Sequence, residues 1–376
     1  MKNPKHFDEV ASNAIGFLGR SVDELLDERL KFSAVFFYQA VELFVKARLL
    51  YEHWSLIVSD PAKACLQAFE KGDFRSLTLD QAVERLRSIA QDDISSAKKV
   101  FEPVRKRRNK IIHFYAPEIP DESTSHSHGK SKKSIEPFDQ APDEIVEVVR
   151  EQCVAWYELH SLLTSRWKKY FQAYQGKIEL LAGHMMELRP YLQVRYDQVK
   201  PKIDKLIANG EQITNCPACG FEAKQDSEIF LGMTHSRCLV CHRYDRSFRF
   251  PCPENQCGGE VVVLDDGGGG ECTHCEDYLS LDDVIRTFEP ITHPGDIGER
   301  YRAYCSECNS FEAIDGTVVF VGDLGRYICL SCLNCFEQDE VSKCEWCGQC
   351  TTGDTEDSFM VGCMCCDGRL GHEMDR

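Results

Sequence analysis

Nowhere in the 376 residues does an apolar run approach the roughly 18 to 20 residues that span a bilayer. The opening stretch, Met1 to Val10, is polar and charged, unlike a signal peptide, so a cytoplasmic protein without a membrane anchor is expected. Cysteine is nearly missing before residue 216, where only Cys65 and Cys153 occur, and a disulfide framework is thereby excluded from that part. Basic charge is scarce after residue 210. There, 12 Lys plus Arg face 31 Asp plus Glu, a net of -19, against 32 and 30 in the residues before. The chain's -17 is thus carried by its C-terminal part, which is expected to repel phosphates and to suit protein partners, so that gripping DNA is disfavoured.

Abundance begins where the charge changes: 19 of the 21 cysteines follow residue 215. They fall into four sets, Cys216, Cys219, Cys238, Cys241; Cys252, Cys257, Cys272, Cys275; Cys305, Cys308, Cys329, Cys332; and Cys344, Cys347, Cys363, Cys366. The inner gaps of 18, 14, 20 and 15 residues suit two knuckles joined by a short hairpin. Two residues between thiolates let one tight turn present both sulfurs to a tetrahedral ion. About four structural Zn2+ ions are therefore expected, the other readings being an iron–sulfur cluster or redox thiols. Closed four-cysteine sites leave no position for substrate, so these ions are not expected to be catalytic. Cys335, Cys350 and Cys365 are left over, and their density leaves open an exchange of ligands between the last two sets. The runs Glu260 to Leu264 before Gly267 to Gly270, and Val318 to Val321 before Gly322 to Gly325, predict hairpins.

Before residue 211 the patterning is helical. Ser21 with Glu24 predicts a capping-box start to one long helix reaching Trp54, apolar nearly all round except for a stripe of Gln39, Glu42 and Lys46. Asp60-Pro61 opens a short helix, and Thr78 with Gln81 marks another capping box. A helix over about 95–115 is expected to bend at Pro103 and to stop before Pro117. Residues 117–140 read as a flexible loop that carries His126 and His128, and helical periodicity resumes at Asp143. The expected organisation is an all-α bundle over 1–175, a helical connector over 176–210, two zinc ribbons over 211–280 and two more over 281–376, the ribbons being small β-hairpins.

The helix over 95–115 contains Arg105, Lys106, Arg107, Arg108, Asn109, Lys110, then His113 and Tyr115. At 100° per residue, Arg105, Asn109 and His113 share one stripe while Arg108 and Tyr115 share another. A plain solvated basic face is one reading. Five cations in six residues followed by a histidine also suit phosphodiester chemistry, with the histidine as acid or base and cations for phosphorane charge.

In Arg108-Asn109-x3-His113, in its Arg-x4-His-x-Tyr continuation, and in the apolar helix bearing Glu42 and Lys46, residues 21 to about 170 resemble the HEPN family of helical-bundle ribonucleases. The resemblance implies a metal-independent endoribonuclease that acts as a homodimer on RNA, typically a toxin or antiphage-defence effector. In that reading His113 is the acid/base, Arg108 binds the scissile phosphate, Asn109 orients either group, and Lys106, Arg105, Arg107 and Lys110 hold the RNA backbone. Glu42 either positions Arg108 or His113 or simply pairs with Lys46, and Tyr115 supports the site. The zinc tail would bind a partner or trigger. The alternative is a non-enzymatic adaptor whose helical domain only dimerises.

Overall fold

A computed structural model describes residues 4–114, 143–230, 232–254, 256–288, 302–308 and 316–374. The chain divides into two compact units, Met1–Pro201 and Lys202–Arg376. Among the described residues no helix is long and apolar enough to cross a membrane.

The first unit is a helical bundle. Its leading pair is α1 (Pro4–Leu26) and α2 (Leu30–Glu52), an antiparallel hairpin instead of the one long helix expected from Ser21 onward. Ser21 is therefore no cap. It sits buried inside α1, where its hydroxyl donates to the Ser33 carbonyl at 3.0 Å while the Ser33 hydroxyl donates back to the Ser21 carbonyl at 2.7 Å. Gln152 closes this interior group by donating to both hydroxyl oxygens. Glu24 instead takes ion pairs from Arg20 and Arg29, and the chain reverses at Glu28, whose φ of 62° lies in the left-handed region.

Next come α3 (Leu66–Glu70), α4 (Leu79–Ser88), α5 (Ser95–His113), α6 (Asp143–Ser161), α7 (Gln175–Met185) and α8 (Arg189–Ala208). The Thr78 and Gln81 capping box starts α4 as expected. Phe37, Val41 and Phe44 of α2 are fully buried, with Phe101 and Val104 of α5 and Val149 and Trp156 of α6 packed into the same core. Ile178, Met185, Leu188, Tyr191 and Val194 also belong to it. The segment expected to be a connector from residue 176 is thus, up to Val194, bundle interior, because its apolar positions find the α6 and α1 faces.

Arg48 is the largest charged side chain fully buried among the described residues. Arg48 of α2 is 2% exposed and pairs with Glu52 at 2.7 Å and Asp92 at 3.2 Å, while its third edge donates to the Tyr170 hydroxyl at 2.9 Å. Asp92 in turn accepts from the Trp167 indole at 2.8 Å and pairs with Arg166 at 2.7 Å. Removing Asp92 would leave Arg48 only the exposed Glu52 as a carboxylate partner and would orphan the buried Trp167 indole.

The second unit is built from short antiparallel sheets. Seven strands run as one meander in sequence order: β1 (Ile213–Asn215), β2 (Glu222–Phe230), β3 (Met233–Cys238), β4 (Tyr244–Pro251), β5 (Glu260–Leu264), β6 (Gly270–Cys272) and β7 (Tyr278–Leu279). Ribbons one and two are therefore fused, because β4 and β5 pair continuously from Ser247↔Leu264 to Pro251↔Glu260. The short helix α9 (Leu281–Thr287) follows. A three-stranded sheet of β8 (Val318–Val321), β9 (Arg326–Cys329) and β10 (Cys335–Phe336) and a two-stranded one of β11 (Ser342–Lys343) and β12 (Cys350–Thr351) come next, then α10 (Ser358–Val361) and α11 (Gly368–Met374). Both expected hairpins form, over 260–272 and 318–329. At the first, Gly269 has φ of 100° and a Cβ there would stand 2.3 Å from the Leu279 carbonyl, so only glycine fits.

Modules two and three share a core. Met233, Phe248, Val261 and Val263 of the meander pack with Val284 and Ile285 of α9 and with Val319, Val321 and Ile328 of the next sheet. Modules three and four are stitched as well, since the Tyr304 amide donates to the Cys350 carbonyl at 2.9 Å and the Thr352 amide to the Tyr304 carbonyl at 3.0 Å.

Asp92→Ala should destabilise the helical unit by about 1–3 kcal/mol, because Arg48 keeps Glu52 but loses its second carboxylate and the Trp167 indole loses its acceptor. Denaturant unfolding followed by tryptophan fluorescence measures it, and a loss below about 1 kcal/mol would show that water reaches Arg48.

Candidate functional site

The cysteines gather as the spacing demanded. In each of the four sets the sulfurs all lie within 4.8 Å of one another. The Sγ separations are 3.7 Å for Cys216 and Cys241, 3.6 Å for Cys219 and Cys238, 3.5 Å for Cys257 and Cys272, and 3.9 Å for Cys252 and Cys275. Cys305 to Cys332, and Cys308 to Cys329, measure 3.8 Å, while Cys344 to Cys366, and Cys347 to Cys363, measure 3.7 Å. A tetrahedron of thiolates around an ion at about 2.3 Å has edges of about 3.8 Å. These contacts are thus edges of a coordination tetrahedron, and each set can hold one metal ion.

Each site sits where strands end. Cys216 and Cys219 turn β1 into β2, Cys238 and Cys241 turn β3 into β4, Cys252 and Cys257 join β4 to β5, and Cys272 and Cys275 join β6 to β7. Backbone amides of the knuckles point at sulfur: Cys241 N lies 3.4 Å from Cys238 Sγ, His274 N 3.4 Å from Cys272 Sγ and Cys365 N 3.3 Å from Cys363 Sγ. The buried Thr317 hydroxyl is 3.2 Å from Cys329 Sγ. Such donors favour thiolate over thiol, and amides of Cys275 and His274 bring Cys272 down to about 6.

The three spare cysteines stand outside the tetrads. Cys335 packs against the core shared by modules two and three, Cys350 is buried among Val318, Phe320 and Tyr327, and Cys365 lies beside Cys363 and Cys366 without joining their set. The ligand exchange left open by the sequence therefore does not occur in this arrangement.

In the helical unit α5 runs unbroken through Pro103 and buries Ala97, Phe101 and Val104. Its other faces carry the candidate residues. The Arg108 guanidinium donates to Asn109 Oδ1 at 3.0 Å and lies 5.7 Å from the ring centre of Tyr38 on α2. Burial, then the Glu42 carboxylate, pushes the Tyr38 phenol above its ordinary value, so the ring is a neutral platform beneath the cation. Tyr38 carries no signal of its own in the sequence, although it precedes Glu42 by one helical turn on the same stripe. His113 is the exposed last residue of α5, one turn beyond Asn109, and has no hydrogen bond or ion pair among the described residues.

The neighbouring cations divide by task. Arg105 is bound to Asp80 at 2.9 Å and to Glu102 at 2.7 Å, and the same Asp80 takes Lys98 at 2.5 Å, which depresses its carboxyl. Arg107 pairs with Glu151 of α6. Lys106 and Lys110 are exposed and, with Pro103, Arg107 and Glu151, line a depression of about 320 Å³. Glu42 pairs with Lys46 at 3.3 Å, the plain one-turn ion pair, and not with Arg108 or His113. Tyr115, His126 and His128 lie outside the described residues.

Comparisons with protein-family models, with curated proteins and with solved structures return no match.

Native mass spectrometry of the metal-loaded chain should record four metal ions, and Cys219→Ser should reduce the count. Cys335→Ser and Cys365→Ser should keep all four. Loss of an ion from either would move a ligand assignment.

Proposed function

We propose that this protein is a metal-independent endoribonuclease working as a homodimer through Arg108 and His113, with four structural zinc ions in its tail. The observation that carries the reading is the end of α5: Arg108, bonded to Asn109 and set against Tyr38, and His113, exposed one turn beyond Asn109, on a helix that also lines a depression with Lys106 and Lys110. The local sequence resemblance to HEPN ribonucleases, described above, points the same way.

Cleavage within RNA needs a base for the ribose 2′-hydroxyl, an acid for the leaving 5′-oxygen and positive charge at the phosphorane. His113 of one copy takes the 2′-proton as the 2′-oxygen attacks phosphorus. His113 of the second copy gives a proton to the departing 5′-oxygen, leaving a 2′,3′-cyclic phosphate and a free 5′-hydroxyl. Arg108 meets the equatorial oxygens as a planar, permanently charged donor. Lys106 and Lys110 supply backbone contacts. Zinc fits the all-sulfur tetrahedra because it is redox-inert and accepts that geometry without electronic cost, and it stays out of the chemistry because four thiolates close the site. In the cell such an enzyme suits a toxin or antiphage effector, with the zinc tail receiving a partner or trigger.

The adaptor reading keeps one specific support: Arg105 and Arg107 are paired with carboxylates and are less available to phosphate than sequence alone suggests. Zinc-loaded protein and total RNA in buffer free of other divalent cations separate the two. Wild type should release fragments ending in 2′,3′-cyclic phosphate, and His113→Ala should lower the rate by roughly 10² to 10⁴, the usual worth of an acid/base group. RNA left intact by both proteins would favour the adaptor.

A further inference from the structure

The tail's net charge hides a local reversal. Residues 232–251 hold four arginines and one aspartate, a net of +3, while the rest from Glu211 onward holds 8 basic residues against 30 acidic ones. Strand geometry then sorts these side chains, since alternate residues point to opposite faces.

In the register of β3 with β4, Met233 stands opposite Phe248, His235 opposite Arg246 and Arg237 opposite Tyr244, all on one face. At the Met233 end that face is core. At the other end it is surface: Tyr244 is 46% exposed and Arg237 is exposed, with Gln225 and Ser227 of β2 continuing the face beside Arg237 and His235. The exposed ring is held in place. Its hydroxyl lies 2.7 Å from His235 Nδ1, the two rings meet edge to face at 5.2 Å, and the Arg246 guanidinium is 5.7 Å from the tyrosine ring centre. Arg246 is anchored in turn, its guanidinium donating to Asn334 Oδ1 and its amide to Asp265 at 3.1 Å. Arg249 points to the opposite face, as the alternation requires.

We infer that this end of the β3–β4 face binds single-stranded RNA, with a base stacked on Tyr244 and the flanking phosphates met by Arg237 and Arg246. A fixed exposed aromatic between cations is the combination that serves unpaired bases, whose faces stack while their backbone is neutralised. Duplexes keep their base faces covered, and an acidic peptide would use the arginines but leave the ring idle. The acidic surroundings confine the strand to this strip, because a phosphate that strays meets carboxylates. The site lies on the sheet, not on α5, so it stands whether or not the nuclease reading holds.

The test uses the full-length chain carrying His113→Ala, so that no cleavage confuses binding, and a short fluorescent oligouridylate containing 4-thiouridine. Tyr244→Ala should weaken binding by at least about fivefold, the low end for loss of one stacked base, whereas Tyr244→Phe keeps the ring and should stay within about twofold. Arg237→Gln should weaken binding and lower the salt slope by about one, and Arg249→Gln on the other face should do neither. Photocrosslinks should include residues 233–251. Each variant is scored only if it retains its four metal ions, and Tyr244→Phe guards against reading a folding defect as lost affinity. Unchanged binding by Tyr244→Ala and Arg237→Gln, crosslinks confined to other segments, or stronger competition by duplex DNA or polyglutamate than by unlabelled oligouridylate would each overturn the proposal.

Discussion

Four thiolate tetrahedra are the constraint on which the C-terminal unit rests. Its strands are short, β7, β10, β11 and β12 being two residues each, and a two-stranded ribbon of that length has no independent stability in water. The cysteine pairs beside them would hold a metal ion that closes loops whose ordering the thin apolar cores would not offset alone. The knuckles also set register. With Cys238 and Cys241 held at one end of β3 and β4, Met233 and Phe248 face the interior while His235, Arg237, Tyr244 and Arg246 share the same side nearer the knuckle. A one-residue slip would send all of them to the other face.

The helical unit solves the same problem by burial. Large apolar side chains on α2, α5 and α6 interlock, and two enclosed polar groups carry their own partners: Ser21, Ser33 and Gln152 satisfy one another, and Arg48 is matched by Asp92 and Glu52. That rigid interior lets α5 present its polar side outward. Arg108 is fixed by Tyr38 and Asn109, Arg105 and Arg107 brace the helix against α4 and α6, and His113 is left exposed at the helix end. Bracing and exposure thus fall to different residues of one cationic run.

Cysteine spacing made all sixteen clustered cysteines legible in the sequence, because ligand geometry acts over a few residues. The 260–272 and 318–329 hairpins were legible for the same local reason, as was the Thr78 cap. The reversal at Glu28 was not, since neither glycine nor proline marks it and a glutamate takes the left-handed turn instead. Fusion of the first two ribbons is not legible in the sequence, because β4 pairs with β5 across a knuckle, a contact belonging to neither motif alone. Tyr38 was hidden in an apolar helix, where one ring more or less carries no signal until Arg108 is seen above it. Summing charge over the whole tail concealed the β3–β4 strip, for a sum has no geometry.

Sequence and structure together describe a helical unit that folds by its own core and a tail that folds by coordination. Hydrogen exchange on the full-length protein, with and without its metal, tests that division most directly. The account predicts that removing metal abolishes protection in β2 to β5 and in β8 and β9 while α2, α5 and α6 stay protected. Protection that persists in those strands without metal would contradict it.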